Sequence, residues 1–582
     1  MEHKHMDQVT VGLIRSSLFY SSEEMGLALR NASYSPNIKE RMDHSAAIFD
    51  QDGRLLAQAE HIPVHLGSLP WGLKNILDYC KKEKVSLDEG SMVVANNPYI
   101  AGTHLNDVTV IRPIYYSGKP VGYAANKAHH SDVGGKVPGS ISTDARSLQE
   151  EGVIIDPRHL MQQDSFVNNT VDLLATSSRT PSERRGDLKA QAAANITGER
   201  RVQEIISKYG YEIFRESCQE SINYAETLVK KRLSQLSKGT YQAEDYLESA
   251  DGRDIRLKIT FIVEESSVKV DYEGTDHQVE SPLNAVFGVT LSGVYYVIRT
   301  ITGDDVPANH GAFAPITVHA PEGTVLNPTF PYPVAGGNVE TSQRNADLVY
   351  KALERPAPKK VPAASGGSMN NVMMGGTHNG GSWAFYETIG VGLGGRNGQD
   401  GLDGIQANMT NTMNTPIEDI ERTLPIQVVR YELRPDSSGA GMYRGGCGIV
   451  RAYKALDTTI FTVLSERGRH SPWGLFGGGN GERTRITLRR ASNRRSNPSQ
   501  GRTVDLPVKT TLTLTKGDTV EIQTAGGGGY GDPRERNRSL VAEDIENGLI
   551  SLRNMRASGY QMEKRRSCNH RSPRRTHAKG KL

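Results

Sequence analysis

The sequence predicts an α+β protein with a mixed N-terminal α/β part, a helical middle and a β-rich C-terminal half. Short apolar runs bounded by turn residues mark strands in the first part. Long helical patterns rich in Ala, Glu, Lys and Arg follow, and from about residue 240 apolar residues alternate with period two. These changes divide the chain into four regions: an N-terminal metal-site region at 1–164, a helical region at 165–238, a β-rich region at 239–563 and a basic tail at 564–582.

The N-terminal part is predicted to begin with a helix and to continue mainly as strands. Apolar residues at helical spacing predict an amphipathic helix over 7–30. Two apolar runs around an Asp-Gly turn predict a hairpin over 45–58, and a further helix is expected over 66–82, after Pro70. Three buried strands are predicted at 92–96, 108–116 and 122–129.

Composition and charge exclude several classes of protein. The 582 residues carry 69 Lys and Arg against 66 Asp and Glu, a net charge of +3, which gives no electrostatic case for nucleic-acid binding. Residues 564–582 hold eight Lys or Arg and no acid, so the rest of the chain is mildly acidic and the tail is expected to be disordered. No apolar run approaches the ~20 residues of a membrane helix. Four distant cysteines argue against a disulfide framework and favour the cytoplasm.

The densest cluster of ligand-type side chains lies between residues 96 and 135. GTHLND contains His104 and Asp107, and KAHHSDVGG contains His129, both at predicted strand ends where side chains can converge. Two imidazoles and a carboxylate suit a divalent ion such as Zn or Mn, and Asp43 is a candidate fourth ligand. Loop histidines are more often solvated or hydrogen-bonded, and this alternative stays open on spacing alone. His61 and His65 could support the site or belong to the core.

Other motifs carry weaker signals. GVGLGG matches the dinucleotide fingerprint, but the segment that follows it is not helical, so we reject a dinucleotide site. No Walker sequence is present. The polar run at 335–347 includes Glu340, Gln343 and Arg344, which could position a substrate, although structural turns are the more common role of such a run.

Several long motifs resemble the hydantoinase B/oxoprolinase family. They follow the family order from about residue 8 to residue 560, so the resemblance covers nearly the whole chain. The matching segments are YSPNIKERMDHSAAIFDQDGRLLAQAEHIPVHLGS, NNPYIAGTHLNDVTVIRPI, AHHSDVGGKVPGS, DLKAQAAAN, PVAGGNVETSQR, PAASGGSMNN, ETIGVGLGGRNGQDG, MTNTMNTP, RYELRPDSSGAG, SPWGLFGGGNG and GGGGYGDP.

The resemblance implies the B-type subunit of an ATP-dependent cyclic amide hydrolase, which opens hydantoin, 5-oxoproline or lactam rings at their C–N bonds. In such systems an A-type partner subunit handles ATP and activates the substrate, giving a hetero-oligomer. The family's metal ligands fall on His104, Asp107, His129 and Asp43, which would activate a water molecule. His130 and Asp132 are candidates for proton transfer or support of the ligands.

Two alternatives remain open at this stage. Related proteins are subunits of ATP-dependent acetone and acetophenone carboxylases, and a non-catalytic structural subunit is the alternative from another class. The chain also departs from the family pattern: Asn97 begins the run that is often Asp-Pro-Tyr, Ala101 replaces a glycine, and Asn408 stands near a frequent histidine. These departures concern the substrate rather than the metal.

Overall fold

The computed structural model describes residues 7–59, 61–491 and 502–561, and the statements below refer to these ranges. Their fold is α+β, as predicted. The predicted basic tail at 564–582 lies outside the described residues. Three of the cysteines, Cys80, Cys218 and Cys447, are buried free thiols. No described helix is long and apolar enough to cross a membrane.

An antiparallel sheet of seven strands organises the N-terminal part. Its spatial order is β2-β1-β5-β4-β3-β6-β7. The predicted hairpin and the three predicted buried strands all belong to it, and its central strands are buried because both faces are covered. The strands are β1 His44–Asp50, β2 Leu55–Ala59, β3 Met92–Ala95, β4 Asp107–Tyr116, β5 Lys119–His129, β6 Arg158–Gln162 and β7 Ser165–Phe166.

Helices cover this sheet and occur again later in the chain. The predicted first helix and the helical middle are present, and the helix predicted after Pro70 begins five residues before it, so that Pro70 lies inside the helix. The helices are α1 Gln8–Ala32, α2 Pro36–Lys39, α3 His65–Glu83, α4 Pro98–Ala101, α5 Asn168–Ser177, α6 Pro181–Tyr209, α7 Tyr211–Leu233, α8 Phe287–Thr302, α9 His310–Phe313, α10 Ser342–Ala352, α11 Ile417–Thr423, α12 Arg538–Glu546 and α13 Leu552–Ala557.

Three further sheets form the C-terminal half. Their strand orders are β11-β10-β9-β8, β13-β12-β16-β19 and β14-β15-β20-β17-β18. The strands are β8 Gly239–Glu248, β9 Asp254–Val263, β10 Val268–Asp271, β11 Ile316–His319, β12 Asn371–His378, β13 Gly381–Glu387, β14 Ile426–Leu433, β15 Ile449–Ala455, β16 Thr459–Leu464, β17 Arg485–Arg489, β18 Thr503–Leu506, β19 Lys509–Leu514 and β20 Thr519–Gln523.

Helix α6 is held on the N-terminal sheet by buried amide side chains. Asn195 donates to the carbonyl of Val110 at 2.9 Å and accepts a hydrogen bond from Asn126 of β5 at 2.8 Å. Gln191, one turn earlier, donates to the carbonyl of Val108 at 2.8 Å. These bonds give buried polar groups the partners that they need in a dry interior.

The largest core cluster extends from Ala47 of β1 to Leu475. It contains residues from both sides of the predicted boundaries at 164/165 and 238/239, and those boundaries stay a prediction. The polar run at 335–347, for which turns were favoured, instead leads through a π-helical turn at Gly337–Thr341 into the buried helix α10.

Candidate metal centre

The ends of three neighbouring strands bring the predicted ligands together. Asp107 is the first residue of β4 and is paired in register with His129, the last residue of β5. Asp43 directly precedes β1, and its carbonyl accepts a hydrogen bond from the backbone N–H of His129 at 3.0 Å. Because β1, β5 and β4 are adjacent, residues that are far apart in the sequence meet where these three strands begin or end, at one end of the sheet.

A tight turn before β4 places His104 beside these strand ends. Asn97 caps α4 by accepting a hydrogen bond from the N–H of Tyr99 at 3.1 Å. The chain then turns at Gly102, whose φ of +92° lies in the left-handed region. A Cβ at Gly102 would lie 2.8 Å from the carbonyl oxygen of Ser68, so a glycine is needed here. The carbonyl of His104 in turn accepts the backbone N–H of Asp107 at 3.1 Å.

Three donor atoms form a compact triangle. His104 Nε2 lies 3.2 Å from Asp107 Oδ1 and 3.2 Å from His129 Nδ1, and His129 Nδ1 lies 3.4 Å from Asp107 Oδ1. A tetrahedral zinc ion with bonds of ~2.0–2.1 Å holds its ligand atoms about 3.3 Å apart. The residues therefore fit a divalent ion. Asp43 Oδ2 is 3.7 Å from His129 Nδ1 and is near enough to join them.

The protonation states that the site favours for His129 and Asp107 are those of metal ligands. All three side chains are almost fully buried. Burial lowers the pKa of His129, against the opposing effect of Asp43, and so favours the neutral imidazole. Burial alone would raise the pKa of Asp107, but His104, His129 and His65 together hold it well below its usual range. A neutral imidazole and an ionised carboxylate are the forms that bind a metal.

His65, at the start of α3, supports the carboxylate ligand. Its Nε2 lies 3.3 Å from Asp107 Oδ2, the oxygen that does not face His104, and its Nδ1 lies 3.0 Å from the hydroxyl of Ser45. His61 points elsewhere, with its Nε2 3.2 Å from Glu23. Of the two histidines with an open role in the sequence, only His65 thus contacts a predicted ligand.

Tyr386 of β13 fixes the ring of His129. The two rings are stacked with centroids 4.7 Å apart and planes at 6°, and the Arg41 guanidinium lies 4.7 Å from the centroid of the same tyrosine ring. The Tyr386 hydroxyl donates to Asn371 at 2.9 Å, and Asn371 donates to Glu340 at 2.7 Å. No motif pointed to Tyr386, because it lies more than 250 residues from His129 in the sequence.

The two predicted catalytic residues have other contacts. His130 Nε2 lies 2.9 Å from the side-chain oxygen of Gln191 on α6. Asp132 pairs with Arg179 at 2.8 Å and also accepts the backbone N–H groups of Gly134 and Gly139. In the described ranges no hydrogen bond or ion pair joins either side chain to the triangle of donor atoms. Their predicted role in proton transfer stays a prediction, and these contacts favour support of the loop.

The predicted polar candidates on and before α10 are buried in the core. Arg344 bridges Asp245 and Glu466 at 3.2 and 3.1 Å. Gln343 donates to the carbonyl of Ala407 at 2.9 Å. Glu340 accepts the N–H of Met369 at 3.1 Å. These contacts tie α10 and the turn before it to neighbouring segments, and among the described residues no hydrogen bond or ion pair joins the three side chains directly to the donor triangle.

A small cavity adjoins the donor triangle. Its volume of about 10 Å³ gives room for about one water molecule. The wall combines the ligand candidates with residues from five further segments: Asp43, Ile62, Val64, His65, Asp107, His129, Asn338, Val339, Met369, Tyr386, Thr388 and Thr410. The centre can thus hold an ion and a water-sized molecule among buried side chains.

The chain belongs to the hydantoinase B/oxoprolinase family, whose model matches residues 7–533. An uncharacterized protein of Methanocaldococcus jannaschii is 46% identical to this chain, and the match covers 94% of this chain and 95% of that protein's length. The putative D-/L-hydantoinase B-subunit of Pseudomonas sp. is 32% identical over 94% of each chain. The 5-oxoprolinase of Dictyostelium discoideum is 34% identical over 90% of this chain, which spans only 40% of that longer protein.

Solved structures show the same fold. The ATP-dependent caprolactamase from Pseudomonas jessenii matches 96% of this chain and 97% of its own with a TM-score of 0.88 and 28% identity. A nucleotide-free acetone carboxylase matches 95% of this chain and 80% of its own with a TM-score of 0.87. At 19% identity, the second likeness shows the fold alone.

Proposed function

We propose that this chain is the B-type subunit of an ATP-dependent cyclic amide hydrolase that uses metal-activated water. The observation that carries the proposal is the buried triangle of His104, Asp107 and His129 beside a water-sized cavity. Relatives named as 5-oxoprolinases and as a hydantoinase B-subunit support the choice of a cyclic amide as substrate.

The proposed chemistry divides between two subunits. A lactam or imide is a poor electrophile because attack must break amide resonance, and phosphorylation of its carbonyl oxygen by an ATP-handling partner would supply a leaving group. A zinc or manganese ion held by His104, Asp107, His129 and Asp43 would supply Lewis acidity for the attacking water. The chain's own residues orient the ligands: His65 holds Asp107, and Tyr386 holds the ring of His129.

An A-type partner and a hetero-oligomer form part of the proposal. The chain spans 40–42% of the length of its 5-oxoprolinase relatives from Dictyostelium discoideum and Arabidopsis thaliana, so those proteins carry further segments in the same polypeptide. A separate A-type subunit would supply the corresponding function here. The three cysteines among the described residues are free thiols, which agrees with a cytoplasmic location, and we also propose that location.

Reconstitution tests this function. The chain is combined with a candidate A-type subunit, ATP, and hydantoin, 5-oxoproline or caprolactam, and ADP and ring-opened product are measured. We expect ring opening only in the complete mixture, and loss of most turnover in Asp107→Asn. The surface variant Asp305→Asn is the matched control. Full-rate ring opening by the isolated chain without ATP, or full activity of Asp107→Asn, contradicts the proposal.

The same mixture separates hydrolysis from the carboxylase alternative. Ketone carboxylation would transfer label from bicarbonate into the product, whereas ring opening leaves the label in solution. With acetone or acetophenone as substrate and labelled bicarbonate present, we expect no labelled product.

A further inference from the structure

Strand β14 forms one edge of the five-stranded C-terminal sheet and presents unpaired backbone groups. Among the described strands its neighbour is β15 alone. Just beyond the end of β14, the N–H of Arg434 donates to the carbonyl of Gly448 at 2.8 Å. Because hydrogen-bonded pairs alternate along an antiparallel ladder, Glu432 also bonds to β15, whereas Tyr431 and Leu433 direct their N–H and C=O groups outwards. Within the described ranges these outward groups have no hydrogen-bond partner.

The open part of this edge is short. Its first half is covered, because the N–H of Val428 donates to the side chain of Glu421 on α11 at 3.0 Å. A bulge follows Val428 and separates that half from the rest of the strand. On β8, which is also an edge strand, Lys351 covers part of the edge by donating to the carbonyl of Glu244 at 2.8 Å. Residues 429–433 of β14 have no such cover among the described residues.

Apolar side chains accompany the open edge. Val429, Tyr431 and Leu433 are 42%, 45% and 40% exposed. Leu433 lies against the loop that contains Gly404, since its Cδ2 is 2.7 Å from the position that a Cβ on this glycine would take. The next residue of that loop, Ile405, is 38% exposed. Large apolar side chains beside unpaired backbone groups are the features of a surface that binds another strand.

The charges on β14 select a second copy of the chain as the partner. Arg430 and Glu432 lie on one face of the strand, where Arg430 contacts both Glu432 and Glu521 of its own chain. In an antiparallel pair centred on Tyr431, Arg430 of each copy lies opposite Glu432 of the other. The four charges then alternate in sign around the two-fold axis, which is the stabilising arrangement for cross-strand pairs.

The neighbouring registers are less favourable. A pairing centred on Arg430 or on Glu432 would place two like charges directly opposite each other. A pairing centred on Leu433 would require a hydrogen bond from Pro435, which has no backbone N–H. The residues of the edge therefore specify one two-fold register, with Tyr431 at its centre.

We propose that the chain forms a two-fold homodimer by pairing β14 with β14 of a second copy, antiparallel and centred on Tyr431. The pairing continues the five-stranded sheet across the axis and covers the exposed side chains of Tyr431 and Leu433. This self-association goes beyond the proposed function, because no step of the cyclic amide chemistry requires it.

Sedimentation velocity of the purified full chain measures the dimer Kd. We expect the parent to sediment with twice the mass of one chain at about 10 μM. Arg430→Glu should raise the Kd about tenfold or more, because both pairs across the axis become repulsive. The double variant Arg430→Glu/Glu432→Arg should restore most of the affinity, since it exchanges the two charges. Arg485→Glu, at an exposed arginine of β17 in the same sheet, is the matched control and should dimerise as the parent does.

Tyr431→Pro tests the backbone pairing separately. Proline removes the outward N–H at the centre of the interface and leaves the hydrogen bonds between β14 and β15 intact, as on other edge strands. We expect a folded monomer by circular dichroism and sedimentation. Tyr431→Phe keeps this N–H and the ring, and it should dimerise as the parent does.

Three results would overturn the inference: a parent chain that stays monomeric at about 100 μM, a Kd that is the same in Arg430→Glu as in the parent, or a dimer that persists in folded Tyr431→Pro. If the parent is monomeric and an added A-type subunit protects the N–H groups of Tyr431 and Leu433 from hydrogen exchange, the edge belongs to that subunit and not to a second copy.

Discussion

At the scale of single residues, Asp107 contacts both the other candidate metal ligands and His65, the side chain that orients it. One carboxylate oxygen faces His104 and His129, and the other faces His65. Side chains that orient metal ligands commonly contribute 10–100-fold in metal affinity. The centre should therefore depend on His65 as well as on its ligands.

We expect His65→Ala to weaken zinc binding by about 10–100-fold while the protein stays folded, because Asp107 loses the partner of its second oxygen. Competition with a chromophoric chelator measures the affinity. His61→Ala is the matched control, since His61 contacts Glu23 instead. Equal zinc affinity in both variants would show that His65 does not support the ligand.

A second residue-scale prediction concerns Glu340. Burial, assisted by the nearby Glu466, raises the pKa of Glu340 from 4.5 to about 8. The folded state thus favours the protonated acid, and the stability from this group is complete below about pH 4.5 and is lost as the pH rises through 8. Glu340→Gln removes this titration, so its free energy of unfolding relative to the parent should rise between pH 5 and pH 9.

Chemical denaturation at pH 5, 7 and 9 measures this difference. The matched control is Glu354→Gln, a change at a half-buried glutamate near the end of α10. If the curves of Glu340→Gln and the parent run parallel across this range, Glu340 does not titrate as described.

The candidate metal ligands could be selected from the sequence, whereas the residues around them could not. His104, Asp107 and His129 lie within 26 residues of one another at predicted strand ends, so local spacing suggests them, and the family resemblance is what favours a metal over solvated histidines. Tyr386 and Asn371 belong to a different sheet, and their relation to His129 depends on the tertiary packing of distant segments.

At the scale of elements, buried amides fix α6 on the sheet whose strand ends carry the centre. Asn195→Leu leaves the carbonyl of Val110 without this donor and Asn126 without this acceptor. We expect a loss of about 1–3 kcal/mol for each buried group left unpaired. Denaturant unfolding measures the loss, and Lys189→Ala, on the exposed side of α6, is the control. A loss below about 0.5 kcal/mol, the range of surface changes, would contradict this role.

Helices and strands were predicted correctly where the apolar residues of the sequence follow a single pattern. The helices α1, α6 and α7 and the strands β3, β4 and β5 follow clear helical or apolar patterns. Helix α8 was not predicted, because its β-branched apolar sequence resembles a buried strand segment. Helix α10 was missed because its polar residues find partners only in the folded core.

At the scale of the whole molecule, the fold brings residues of the predicted N-terminal region and of the predicted β-rich region together around the candidate metal centre. The wall of the small cavity takes residues from the start of β1, α3, the β4–β5 pair and the segments around 338, 369, 386 and 410. The site therefore depends on segments that lie between residues 43 and 410 of the chain. This agrees with the family match over residues 7–533 and with the caprolactamase likeness over 96% of the chain.

Metal analysis of the purified full chain tests the central claim most directly. We predict about one equivalent of zinc or manganese per chain, as a single four-ligand site requires. His104→Ala should lose most of this metal, while the exposed variant His319→Ala retains it. A metal content in His104→Ala equal to that of the parent, with both proteins folded, would contradict a metal centre at His104, Asp107 and His129.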